Sequence, residues 1–257
     1  MKSIEHAVVM NGAFAGGAME QALAEARMAE ERLPFTVRVV LSEEALHKAI
    51  AIRQSAYARH VPGLADRLAD PEPNDHDRGS IVLLAESRLD GSPVGTVRIQ
   101  TNRFNDLSIE QGVRLPAWLR SKSLAEATRL GVDVGRTGRV VKIALLKALY
   151  LYCIEANIEW LIVGARSPLD RQYDAYLFQD LFPGQFIPMP QFNNIPHRVL
   201  GFDILGARAR WEEARHPLLE FMCYTRHPDI DLGSADFLTR SRQVRTADLS
   251  DRVAIGA

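Results

Sequence analysis

Apolar positions recur along the chain with periods of two and of about 3.6, and turn residues punctuate them. Residues 35–41 (FTVRVVL) predict a first strand. Ser42 then offers an N-cap. Glu43 and Glu44 suit the first turn of a helix that runs to about His60, ahead of Pro62-Gly63. Ser80 to Arg88 and Val94 to Asn102 predict strands joined by an Asp90-Gly91 hairpin turn. Leu124 to Asp133 is another strand. A long helix follows to about Ala156, with Val141, Ala144, Leu145, Ala148, Leu151 and Tyr152 at its apolar positions. Ile158 to Ala165 reads as a buried strand, Asp170 to Phe182 as a helix and Arg198 to Ile204 as a strand. Ala207 to Arg215 reads as a short helix, and Leu218 to Thr225 as the last strand. Three connections are irregular: the acidic, proline-punctuated 64–78, 103–122 with one helical turn, and the Pro/Asn-rich 182–197. The length of 182–197 predicts a lid. The order starts as a meander and finishes with βαβ units. It predicts an α+β chain of three layers, a mixed central sheet with helices on both faces. Residues 17–33 predict a polar helix ended by Pro34, so 1–34 read as an extension, 35–232 as the domain and 233–257 as a tail.

Composition narrows the class. The 257 residues are 47% hydrophobic and 25% charged, enough to bury a core and too apolar for disorder throughout. Lys and Arg number 31 against 32 Asp and Glu, so no basic excess points to nucleic acid. Cys153 and Cys223 match no zinc spacing and make no disulfide framework, which predicts a reducing, cytoplasmic setting and no metal site. Residues 7–19 imitate a signal peptide loosely, but Glu5, Asn11 and the glycines dilute it. Lys147, Glu155 and Glu159 interrupt the most apolar later stretch, so no bilayer span is expected.

Several side chains need partners. Leu46, Ile50, Arg53 and Tyr57 share one face of the first helix. An arginine in that stripe must find a carboxylate or snorkel to the edge. Asp75 and Asp77 flank His76 in a spacing that suits a cation, an ammonium group or an arginine, or plain solvation. Thr96, Arg98 and Gln100 share a strand face; in a central strand Arg98 needs Glu126, Asp75 or Asp77, and on an edge it needs nothing. Glu126 and Arg129 are three apart and point to opposite faces of a regular strand. If both serve one site, a β-bulge lies between them. Gly135-Arg136-Thr137-Gly138-Arg139 follows a strand and opens a helix, where backbone N–H groups and arginines suit a phosphate. It matches neither a dinucleotide fingerprint nor a P-loop, and a plain turn fits equally.

Together these pieces resemble the acyl-homoserine-lactone (autoinducer) synthases and their sister N-acyl amino acid synthases, within the GNAT-like acyltransferases. Arg53-x-x-x-Tyr57 is similar to their R-x-x-x-F/Y, Asp75-x-Asp77 to their acidic pair, and Arg98 to their hairpin-strand arginine. Glu126-x-Thr128-Arg129-Leu130-x-Val132 is similar to their E-x-S/T-R-φ-x-V. The agreement covers residues 36–165. Two departures stand out: no tryptophan follows Arg53-Tyr57, and the chain is longer than such synthases. Both favour an amino acid, or another small amine, over S-adenosylmethionine as acceptor. The resemblance implies a GNAT-like fold with the bulge near Glu126. It implies Glu126, Arg98 and Arg129 in catalysis and Arg53, Tyr57, Asp75 and Asp77 in substrate binding. It also implies Gly135, Arg136, Gly138 and Arg139 at the phosphopantetheine. No cofactor would be bound permanently: an acyl-phosphopantetheine, as acyl carrier protein or CoA, is the donor, so the carrier protein and a small amine are the partners. The alternatives are a lactone synthase and a non-catalytic carrier- or acyl-CoA-binding protein.

Overall fold

The computed structural model describes residues 28–134 and 136–233, without the side chain of Arg136. The extension before residue 28 and the tail after 233 lie outside these. The described residues open with a two-residue strand β1 (Ala29–Glu30), where a helix end was expected; it pairs with β10 (Thr225–Arg226). Next come β2 (Phe35–Val39) and α1 (Glu43–Ala58). The Ser42 side chain accepts the Ala45 N–H, as its N-cap position predicts. A one-turn helix α2 (Pro62–Ala65) and two 3-10 turns (Asp66–Leu68, Pro73–Asp75) give the 64–78 loop more structure than its composition suggests.

Strands β3 (Ser80–Ser87), β4 (Pro93–Thr101) and β5 (Leu124–Val132) complete an antiparallel meander with β2. Helix α3 (Arg136–Glu155) crosses over to β6 (Trp160–Ala165), parallel to β5. The expected βαβ run stops there. Strand β9 (Ile195–Asp203) pairs antiparallel with β6, and β7 (Gln179–Asp180) antiparallel with β9. The sheet runs β11-β2-β3-β4-β5-β6-β9-β7, with β11 (Ile230–Asp231) at one edge.

Helix α4 (Asp170–Ala175) is shorter than its sequence predicts because Leu177 takes a φ of +68°, which turns the chain into β7. Arg198 reinforces that turn, donating to Asp174 at 2.7 Å and Asp180 at 3.1 Å. Residues 182–197 are a hairpin rather than an unstructured lid. Strand β8 (Ile187–Met189) pairs with β9, and Asn193 and Asn194 make the turn at φ of +55° and +57°. Asparagine tolerates that left-handed region. After α5 (Ala207–Glu213), the expected last strand is instead a π-turn (Glu220–Tyr224). Buried Lys147 of α3 fixes it by donating to the carbonyls of Phe221 and Thr225.

Helix α3 packs Val141, Ala144, Leu145 and Ala148 against Val97, Ile99 and Ala125 on one sheet face. Helix α1 packs Leu46, Ala49 and Ile50 against Val82 and Leu84 on the other. A second core under the 103–122 segment gathers Leu107, Ile109, Leu115 and Leu119 around Ile162 and Val199. None of the helices among the described residues is long and apolar enough to cross a membrane.

One glycine is fixed by space. A Cβ on Gly138, in the first turn of α3, would collide with the backbone oxygen of Asp133. Gly138→Ala is therefore expected to cost roughly 1–3 kcal/mol, as overpacking does, and thermal melting checks it. An unchanged Tm would show that the turn has slack.

Candidate active site

The α1 face of the sheet carries the polar side chains. Arg53 is completely buried, so it does not snorkel. Its guanidinium meets Asp75 in a fork, Nη1 to Oδ2 at 2.9 Å and Nη2 to Oδ1 at 2.8 Å. Arg98 lies in a central strand and not an edge, 2% exposed. It donates to Asp75 at 3.1 Å, to Glu72 at 3.0 Å and through Nε to the Thr128 hydroxyl at 3.1 Å.

The bulge that Glu126 and Arg129 demanded is present. Thr96 pairs with Gly131 and Arg98 with Thr128, so two residues of β5 face Val97 alone. Arg129 sits in that bulge at a φ of +56°, a costly conformation for an arginine. The twist turns its side chain onto Glu72, Nε to Oε2 at 2.6 Å and Nη2 to Oε1 at 2.7 Å. Arg53, Arg98 and Arg129 thus converge on Glu72 and Asp75, which leaves one positive charge in excess. Burial alone would raise both carboxyls, but the guanidiniums outweigh it and hold them below the ordinary carboxylate range.

The positions named from sequence do not all meet. Asp77 faces elsewhere: its oxygens accept the Gly79 N–H at 2.6 Å and the Asn105 amide at 2.7 Å, so it shapes a turn. The acidic pair expected at Asp75 and Asp77 is corrected to Glu72 and Asp75, three apart in a 3-10 turn where such positions eclipse. Gly135 and the Arg136 side chain lie outside the described residues. Gly138 is packed against Asp133, and Arg139 is exposed at the start of α3.

Glu126 is 1% exposed beside Gln100 on β4. The Ile109 N–H donates to its Oε2 at 2.9 Å. Desolvation pushes its pKa up to about 7, against the pull of that N–H and of Arg98 and Arg129. Glu126 also marks a fork. Strands β5 and β6 pair only from Leu124 with Trp160 to Glu126 with Ile162. Beyond it they part around a cleft of about 180 Å³, lined by Tyr57, Leu130, Gly131, Gly164, Arg166 and His197 among others. A second, polar cavity of about 250 Å³ lies over Arg98, Arg129, Asn74, Gln111 and Gln191. Phe192, at the tip of the hairpin, lines both. Its ring lies 5.1 Å from the Arg129 guanidinium and stacks on His197 at 4.7 Å.

A mixed sheet between two helical layers, a bulge in β5 and parallel strands that splay beyond it define the GNAT-like acyltransferase fold, of α+β class. Two solved structures share it. FeeM, an N-acyl amino acid synthase from uncultured soil microbes, gives a TM-score of 0.57 at 18% identity, covering 73% of this chain and 97% of that one. BjaI, a CoA-dependent acyl-homoserine lactone synthase solved with SAM and isopentyl-CoA, gives 0.52 at 15% identity, covering 81% and 99%. No family profile matches the chain, and no curated protein sequence does.

Proposed function

We propose that this protein is an N-acyltransferase. It moves a fatty acyl group from an acyl-carrier-protein or CoA thioester to the amine of an amino acid or a similar small amine. The observation that carries this reading is Glu126, a buried carboxylate of near-neutral pKa at the fork of the splayed strands, on the same sheet face as the arginines. A second feature points to an acidic acceptor. Arg98 and Arg129 line the polar cavity, where the guanidiniums converge on Glu72 and Asp75. An acceptor carboxylate entering that cavity meets a cationic wall. The polar cavity, at about 250 Å³, falls below the ~300–1,000 Å³ of drug-sized sites, which favours a small acceptor.

In this reaction the acceptor ammonium loses a proton to Glu126 and its amine attacks the thioester carbonyl. Backbone N–H groups on the β6-facing edge of β5, past the fork, are free to receive the oxyanion. The pantetheine arm lies in the cleft, with its phosphate at the start of α3 near Gly135, Arg136, Gly138 and Arg139. The acyl chain would have to widen the apolar space between α3 and β6, lined by Leu146, Leu149, Leu161 and Val163, which holds only about 20 Å³ as it stands. Mass spectrometry of lipid extracts from cells overproducing the chain, beside a Glu126→Gln control, tests this. Acyl amino acids made only by the wild type are expected. A lactone in their place would mean an S-adenosylmethionine acceptor, and no new lipid in cells supplied with acceptors would count against transfer.

A further inference from the structure

His197 lies on β9 at the wall of the donor cleft, across from the site network, and the mechanism above leaves it unused. Its ring is 5% exposed and stacks on Phe192. Nδ1 lies 2.7 Å from the Ile195 carbonyl oxygen, which accepts only, so Nδ1 carries the proton. The neutral ring then bears its lone pair on Nε2. That atom has no hydrogen-bond partner among the described residues, and it is not one of the sealed, unpartnered polar atoms. The cleft is the open space it meets. Position supports a role in the chemistry. A Cβ on Gly164 would touch both Ile109 Cδ1 at 3.6 Å and His197 Cδ2 at 4.0 Å, and the Ile109 N–H holds Glu126. Ile109 thus neighbours both the imidazole and the carboxylate.

The acyl-transfer reading calls for a second proton transfer, after Glu126 has taken the first proton. An ammonium acceptor and a thioester give an amide, a thiol and one proton released. The first proton leaves the ammonium before attack, and Glu126 takes it. When the C–N bond has formed, the nitrogen carries a second surplus proton. The departing sulfur, as the C–S bond breaks, needs one.

We propose that His197 is a catalytic proton shuttle: Nε2 takes the second proton from the nitrogen of the tetrahedral intermediate and delivers it to the leaving pantetheine sulfur. No oxidant or further reactant is needed, and the ring returns to its starting tautomer. The inference rests on the acyl-transfer function. Burial keeps the imidazole below its ordinary pKa, with the Ile195 carbonyl opposing and Arg166 assisting, so it is neutral when the reaction starts.

The test separates leaving-group chemistry from packing. His197→Asn keeps a donor near Nδ1 and has nothing in place of Nε2. His197→Phe keeps the ring on Phe192. Each is assayed with an equimolar mixture of the amino acids and two donors of one fatty acid, the pantetheine thioester and the 4-nitrothiophenyl thioester, whose thiolate leaves without a proton. Both variants are expected to be about 10²-fold slower with the first donor and within a few-fold of wild type with the second. Equal slowing with both donors, in variants that keep the wild-type Tm, would make His197 structural and overturn the proposal. So would a rate within a few-fold of wild type on the pantetheine thioester. If the wild type itself releases no thiol in response to amines, acyl transfer falls and the shuttle with it. That outcome is distinct from a wild type that turns over while both variants match it.

Discussion

Glu126→Gln is expected to lower acyl transfer by about 10²–10⁴-fold, the usual share of a general base, and to leave the fold intact. The amide keeps an oxygen for the Ile109 N–H, which is the carboxylate's main anchor. The sign of the pH effects separates this loss from unfolding. Wild-type turnover needs the ionised carboxylate, so kcat should fall as pH drops below about 7, and the Gln variant should lack that limb. Stability runs the other way. The folded pKa of Glu126 lies above its unfolded value of about 4.3, so the folded protein binds the extra proton between those limits and loses stability as pH rises through them. The Gln variant has no such cost and should melt no lower than wild type above neutrality. A variant that keeps its rate within a few-fold would remove Glu126 as the base; one that merely melts early would make it structural.

Asp75→Asn should be among the most destabilising changes in the chain, costing roughly 3–5 kcal/mol, as removing one member of a buried ion pair does. Asp75 takes both prongs of Arg53, a bond from Arg98 and the Glu72 N–H. Its loss leaves two buried guanidiniums short of charge. Asp77→Asn is the internal control. It weakens two hydrogen bonds in a turn, worth about 1 kcal/mol net, and should leave acyl transfer near wild type. Chemical denaturation of the two variants side by side gives the comparison, and equal losses would sink the distinction between them. Acid should act on the same network. Both Glu72 and Asp75 titrate below their unfolded values, so their stabilisation is complete above about pH 4 and disappears as pH falls through the lower folded values.

Local rules carried the sequence reading as far as β6. The N-cap at Ser42, the hairpin at Gly91 and the stripe on α3 each follow from a single turn or period. The bulge was legible because two charges three apart cannot share a strand face otherwise. What failed was tertiary. Leu177 ends α4 through a left-handed residue that no propensity announces. The π-turn at Glu220–Tyr224 depends on Lys147, more than seventy residues earlier in the chain. Glu72 escaped notice because the i, i+2 spacing around His76 makes Asp75 and Asp77 the natural pair in a loop of unassigned conformation. In the 3-10 turn the side chain three positions back is the one that lies alongside. The missed signal was arithmetic: three buried arginines need more carboxylate than Asp75 supplies. His197 gave no signal, since only the pairing of β9 with β6 and β8 brings it to the cleft.

Phe192 stands between a cleft framed by the parting strands β5 and β6 and a cavity whose floor is the sheet but whose rim is two short loops, Glu72–Asn74 and Pro190–Phe192. The two compartments are therefore built from parts that tolerate change very differently. Substitutions at Pro73, Asn74 and Pro190–Phe192 can reshape the polar cavity while Glu72 keeps its ion pairs with Arg98 and Arg129 on the strands. On the proposed acyl-transfer function this is a route to divergence: descendants of one ancestor could come to modify different amines while retaining the same thioester supply. A library confined to the two loops, with Glu72 held, is the corresponding engineering experiment.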